Sequence, residues 1–145
     1  GAPTTHWATV PSLPAKPGEH PLHGIVGSVA PWPEVRLVAA AHASRPRDVN
    51  PEHFGTDSQL PQGSHVLLLD DTWTTGGHAQ SAVLALRHAG AEHVSVLVVA
   101  RWVNEDFGDN ARFLRELSNR DYEPEICPWT GGSCPPPPAL AMSRT

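Results

Sequence analysis

The chain has almost no lysine. Lys16 is alone among 145 residues, and ten basic against fifteen acidic side chains leave a formal charge of −5. A grip on a nucleic-acid backbone runs on clustered Lys and Arg, so this balance argues against nucleic acid as a partner. No apolar run approaches the roughly 18 residues of a membrane-spanning helix, which argues against a membrane partner. The first residues carry neither the charged nor the apolar block of a signal peptide, and the expectation is a cytoplasmic protein; an initiator Met is also missing. No Gly-Lys-Ser/Thr triplet occurs, so a Walker phosphate loop is excluded, and no internal repeat is present. Cysteine is scarce: Cys127 and Cys134 are separated by six residues. A disulfide, half of a zinc site and two unrelated thiols all fit that spacing. Structural zinc wants four ligands, and no second Cys/His pair lies at finger-like spacing, which favours the unrelated thiols.

A chain of this length supports one domain with a real core. Apolar content is 39%, but 16 prolines and 12 glycines swell the non-core fraction, so the core must come from a few dense segments. Trp7–Val10 reads as a strand stopped by Pro11, followed by a Pro/Gly-rich loop to Gly18. Leu22, Ile25, Val26 and Val29 lie at helical spacing and predict a helix over Pro21–Ala30. Val35–Ala40 predicts a second strand, and a polar stretch without periodicity runs from His42 to Ser64. A third strand is expected over Val66–Leu69, and a helix from about Ala79 to Ala89 with Gly90 as its C-cap. Val94–Ala100 is nearly all apolar and β-branched, which predicts a central parallel strand covered on both faces. A last helix is expected over Asn110–Leu117, and the Pro135–Pro138 run predicts an irregular tail over 121–145 behind a domain of 5–120. Strands alternating with helices imply an α/β fold with a doubly wound, mainly parallel sheet. Ligands in such sheets sit beyond the carboxyl ends of the strands, so the loops after Val10, Ala40, Leu69 and Ala100 are expected to converge on one cleft.

The densest signal is His65–His78. An apolar strand ends in Asp70 and Asp71; Thr72-Trp73-Thr74-Thr75-Gly76-Gly77 follows, and a helix opens behind it. Strand end, tight turn and helix N-terminus together point backbone N–H groups at an anion, normally a phosphate. Carboxylates only accept hydrogen bonds, which suits neighbouring sugar hydroxyls. A receiver domain needs its acidic pair near the chain start and a third Asp after a later strand, where Arg101 stands here. A ligand-free helix cap needs less than the Thr-Thr-Gly-Gly sequence supplies.

Val66–Gly77 resembles the phosphoribosyl pyrophosphate (PRPP) motif of type I phosphoribosyltransferases: an apolar strand, two acids, two variable positions, then Thr-Thr-Gly. Val10-Pro11-Ser12, Gly18–Leu22 and Arg101–Asn104 look most like the ComF / amidophosphoribosyltransferase-like branch. The resemblance covers roughly residues 5 to 130. It implies the phosphoribosyltransferase fold, with less sequence ahead of the first strand than members of that fold carry. It implies that Asp70 and Asp71 hold the ribose hydroxyls and that Thr74, Thr75, Gly76, Gly77 and His78 wrap the 5′-phosphate. Ser12, Lys16 and Gly18 would belong to the pyrophosphate loop, with Arg45 and Arg47 in the mobile active-site loop. Asp70, Asp71, Lys16, Arg45 and Arg47 are the catalytic candidates. Magnesium is expected to ride in on the pyrophosphate oxygens and water, with no direct protein ligand. The implied activity is transfer of the 5-phosphoribosyl group from PRPP to a nitrogen nucleophile, the ligand being PRPP or a nucleoside 5′-monophosphate. The alternative is a non-catalytic sensor or DNA-uptake accessory protein. Phosphoribosyltransferases often pair, so a homodimer is among the expected states. His78 departs from the motif, which commonly has a hydroxyl residue there.

Overall fold

The computed structural model describes residues 2–41, 45, 47–118, 121, 123, 125, 126 and 132. Cys127, Cys134 and the proline run of the expected tail lie outside them. The chain divides into two compact units, Gly1–Trp102 and Val103–Thr145. In chain order the elements are β1 (His6–Thr9), α1 (Pro21–Val29), β2 (Leu37–Ala39), a single 3-10 turn (Pro51–His53), β3 (Phe54–Thr56), β4 (His65–Trp73), α2 (Gly77–His88), β5 (His93–Arg101) and α3 (Asn110–Ser118). No helix among them is long and apolar enough to cross a membrane.

The first unit is α/β. Its sheet has the order β1-β4-β5 with both pairings parallel, so β4 is the central strand. Alternation along the strands divides their side chains between two cores. Ala8, Val66 and Leu68 face α2, where Ala82, Ala85 and Leu86 complete a layer with Leu37 and Phe54. Trp7 and Leu69 face the other way and pack with Val26 of α1. One helix therefore covers each face of a small parallel sheet. α1 begins at Pro21, which tolerates the first helical position because its missing N–H would have no partner there. In the second unit, α3 carries Arg112 within 3.7 Å of Asp109 and 3.9 Å of Glu116, exposed pairs that contribute little.

Three expectations are corrected. The predicted second strand does not continue the parallel sheet. Only its approach does: Trp7 N–H donates to Pro33 O and Val35 N–H donates to Trp7 O, a parallel bridge at Glu34. The chain then leaves, and Leu37–Ala39 pairs antiparallel with β3, burying Leu37 and Phe54 together. β3 itself is three residues with a central glycine, too short to show a period of two. The run over 94–100 forms the edge of the described sheet rather than its centre, with Val96, Leu97 and Val99 exposed by 39%, 52% and 68%. A β-branched run reports strand propensity, whereas strand order depends on which neighbours pair, and here β4 takes a partner on each side. Finally, β4 runs four residues past Leu69. Asp70, Thr72 and Trp73 sit in the ladder opposite Val98, Ala100 and Arg101, because backbone pairing proceeds where side-chain propensity is poor.

Candidate functional site

The two acids in the second half of β4 point to opposite sides, as neighbours on a strand must. Asp70 is buried and Asp71 exposed. Burial, and next the charge of Asp71, push the Asp70 carboxyl above its ordinary range near 3.8; backbone hydrogen bonds from Asp71 and Thr72 and the proximity of His78 act the other way. Asp71 Oδ2 lies 3.2 Å from His20 Nε2. His20 caps α1, its Nδ1 accepting the Leu22 N–H at 3.2 Å. A ring nitrogen that accepts leaves the other to carry the proton, so the Nε2 of His20 is the one beside Asp71. The loop after β1 is thereby fastened to the end of β4.

Beyond Trp73 the chain turns through Gly76, whose φ of 82° is left-handed and sits at the N-cap of α2. A Cβ there would strike the Trp73 ring, and a Cβ on Gly77 would coincide with the Arg47 carbonyl. Gly77 thus admits another stretch of backbone. Ser81, fully buried one turn later, holds that stretch: its Oγ accepts the Asn50 N–H at 2.9 Å and donates to Gly77 O at 2.7 Å. Replacing Ser81 with Ala leaves the Asn50 N–H unpaired, an expected loss of about 1–3 kcal/mol measurable by urea unfolding. Faster hydrogen exchange at Asn50 is the accompanying signature.

The result is a hollow of about 240 Å³ bounded by Arg47, Asp70, Thr72 and the whole turn from Thr74 to His78. His78 Nε2 is buried there without a hydrogen-bond partner among the described residues, while its ring meets Phe54 edge-on at 6.4 Å. Hydroxyls, an arginine and the N-terminus of a twelve-residue helix around one small hollow suit a tetrahedral oxyanion.

A second cavity, about 620 Å³, lies between the Pro-rich loop and β2. Ser12, Lys16, Gly18 and His20 form one wall; Arg36 and Val38 belong to the other. Trp73 and residues 98–101 border a third hollow of about 460 Å³. The His20–Asp71 contact joins the loop after β1 to β4. Arg45 lines none of these hollows; its side chain is 82% exposed and 3.8 Å from Asp48. Sequence reading missed His20, Arg36 and Ser81. His20 precedes the helix-starting Pro21 and so stood in a capping position, whereas an arginine just ahead of a short strand and a serine inside a helix carry no signal. Among the described residues, no cluster of three or more His, Cys, Asp or Glu side chains could hold a metal ion.

Over 65 residues the chain is 42% identical to the orotate phosphoribosyltransferase of Streptomyces avermitilis, a match covering 45% of this chain and 31% of that protein. The matched stretch thus spans about a third of the relative's length. No family model matches the chain, and no solved structure matches it.

Proposed function

We propose that the first unit is a phosphoribosyltransferase-like domain of the ComF-like branch, binding PRPP or a nucleoside 5′-monophosphate. The observation that carries this reading is the small hollow at the β4–α2 turn, where a left-handed Gly76, two threonines and Arg47 surround space for one phosphate beside a buried carboxylate. The partial identity with an orotate phosphoribosyltransferase supports it. In this reading Thr74, Thr75, Gly76, Gly77 and His78 take the 5′-phosphate and Asp70 and Asp71 take the ribose hydroxyls. Ser12, Lys16 and Gly18 meet the pyrophosphate, and Arg47, with Arg45 after rearrangement, closes on it.

The reaction would break the C1–O bond to pyrophosphate and form a C1–N bond to the acceptor. Positive charge builds on the ribose ring and negative charge on the leaving oxygens, so a fixed carboxylate and fixed cations favour the transition state. Magnesium would be held mainly by phosphate oxygens and water, because it dehydrates reluctantly, and it would neutralise the pyrophosphate.

A second reading, binding without turnover, is favoured by two observations: His20 already occupies Asp71, and Arg45 is turned toward Asp48. Pyrophosphate release separates the two. With PRPP, magnesium and a panel of ammonia, glutamine and nucleobases, transfer predicts stoichiometric release with at least one acceptor. A melting temperature raised by PRPP without any release favours the sensor, since a ligand of the native state alone stabilises it by about 2.7 kcal/mol at a hundredfold excess over Kd. Neither release nor stabilisation contradicts both.

A further inference from the structure

We infer that His20 is an autoinhibitory latch on Asp71 that a ribose-bearing ligand has to open, an assignment that rests on the phosphoribosyl-ligand reading above. The two acids of β4 stand in different places. Asp70 lines the small hollow with Arg47 and the turn, whereas Asp71 lines none of the three hollows described and has His20 Nε2 3.2 Å from its Oδ2. A carboxylate only accepts hydrogen bonds, so an oxygen engaged by the imidazole is not offered to a sugar hydroxyl. Both side chains are partly open to water, which keeps the contact weak enough to be displaced.

The imidazole is held from behind. Its Nδ1 accepts the Leu22 N–H at 3.2 Å and caps α1, while α1 itself is fixed by Val26, buried with Trp7 and Leu69. His23 Nε2, 2.8 Å from Glu34 Oε1, ties the same helix to the segment ahead of β2. The ring therefore stays, and the part that turns on opening is the Asp71 carboxylate. At its far end the loop after β1 is also anchored: Val10 N–H donates to Leu69 O at 2.9 Å, and Leu13 is buried. Pro14 to Glu19 lies exposed between these anchors and His20, with Gly18 left-handed at φ 86° and nothing within 4 Å of where its Cβ would stand. The His20–Asp71 contact thus sets how firmly the near end of that span is joined to β4. Because the span walls the cavity of about 620 Å³, a sugar that takes Asp71 loosens the wall of a second space. By linkage, the factor by which the latch weakens ribose binding equals the factor by which ribose weakens the latch.

The test titrates ribose 5-phosphate, and separately inorganic phosphate, into the full chain and its His20→Asn and His20→Ser variants. Asn and Ser are strong N-caps but too short to span from the cap to Asp71, so both variants are expected to keep α1 and to melt with the parent. Ribose 5-phosphate is expected to bind each about twofold to fivefold more tightly than the parent, as the loss of a partly exposed competing pair allows. Inorganic phosphate fills the turn without calling on Asp71 and is expected to bind all three alike. A residue that only supported the fold would give weaker binding on substitution, in step with a lower melting temperature. Unchanged or weakened ribose 5-phosphate affinity in a variant that melts with the parent overturns the latch alone, as does an equal gain for inorganic phosphate. Failure of all three forms to take ribose 5-phosphate overturns the phosphoribosyl reading and the latch with it.

Discussion

Gly77→Ala is expected to lower folding stability by about 3 kcal/mol, the upper end for overpacking, and to lose phosphate-ligand binding. The reason is local and backbone-borne. The Arg47 carbonyl occupies the place a Cβ would take, and neither partner is the far end of a flexible side chain. Relief requires the segment around Arg47 to leave α2, which breaks the Asn50–Ser81 hydrogen bond and withdraws Arg47 from the hollow. Stability and binding should therefore fall together. Urea unfolding measures the first effect and calorimetry with a nucleoside 5′-monophosphate the second. A variant that keeps the parent's midpoint would show that the two backbones do not approach this closely.

Asp70→Asn is expected to move stability and binding in opposite directions. In the folded chain, burial and then the charge of Asp71 raise the carboxyl above its ordinary value. The unfolded chain therefore releases this proton at lower pH than the folded one. Stability from this group is fully present below the ordinary value near 3.8 and is lost as pH rises through the folded value. Above that window the parent carries a buried charge that Asn does not. The variant should melt higher than the parent at neutral pH, with the difference vanishing in acid. Binding of a ribose-bearing ligand should weaken about tenfold, because a charge-assisted acceptor is replaced by a neutral one. Parallel melting curves from acid to neutral pH would refute the buried-charge account.

Helices and parallel strands of the first unit could be read from periodicity. α1 and α2 carry apolar spacing with Pro21 and Gly90 at their ends, and β4 begins as an unmistakable apolar run. Sheet order could not be read, because Val94–Ala100 and Val66–Leu69 are equally strand-like and nothing in composition says which takes two partners. The same holds for β2 and β3, whose three-residue ladder is created by burial of Leu37 against Phe54 across sixteen intervening positions in the sequence. At the site, the turn from Thr74 to His78 announced itself because phosphate-type turns need glycine and hydroxyl residues in sequence. Arg47 was named only through the family resemblance, together with Arg45, and the fold places it beside that turn. Ser81 comes from a distant segment that only the fold brings near, and a helix interior does not mark such a residue, whereas His20 stands in the capping position ahead of Pro21.

The most direct measurement is a crystal structure of the chain with ribose 5-phosphate. The account predicts the phosphate in the hollow between Arg47 and the turn from Thr74 to His78, with the sugar toward Asp70 and Asp71 and the His20–Asp71 contact opened. Phosphate density lodged elsewhere, or an empty turn at saturating ligand, would contradict it.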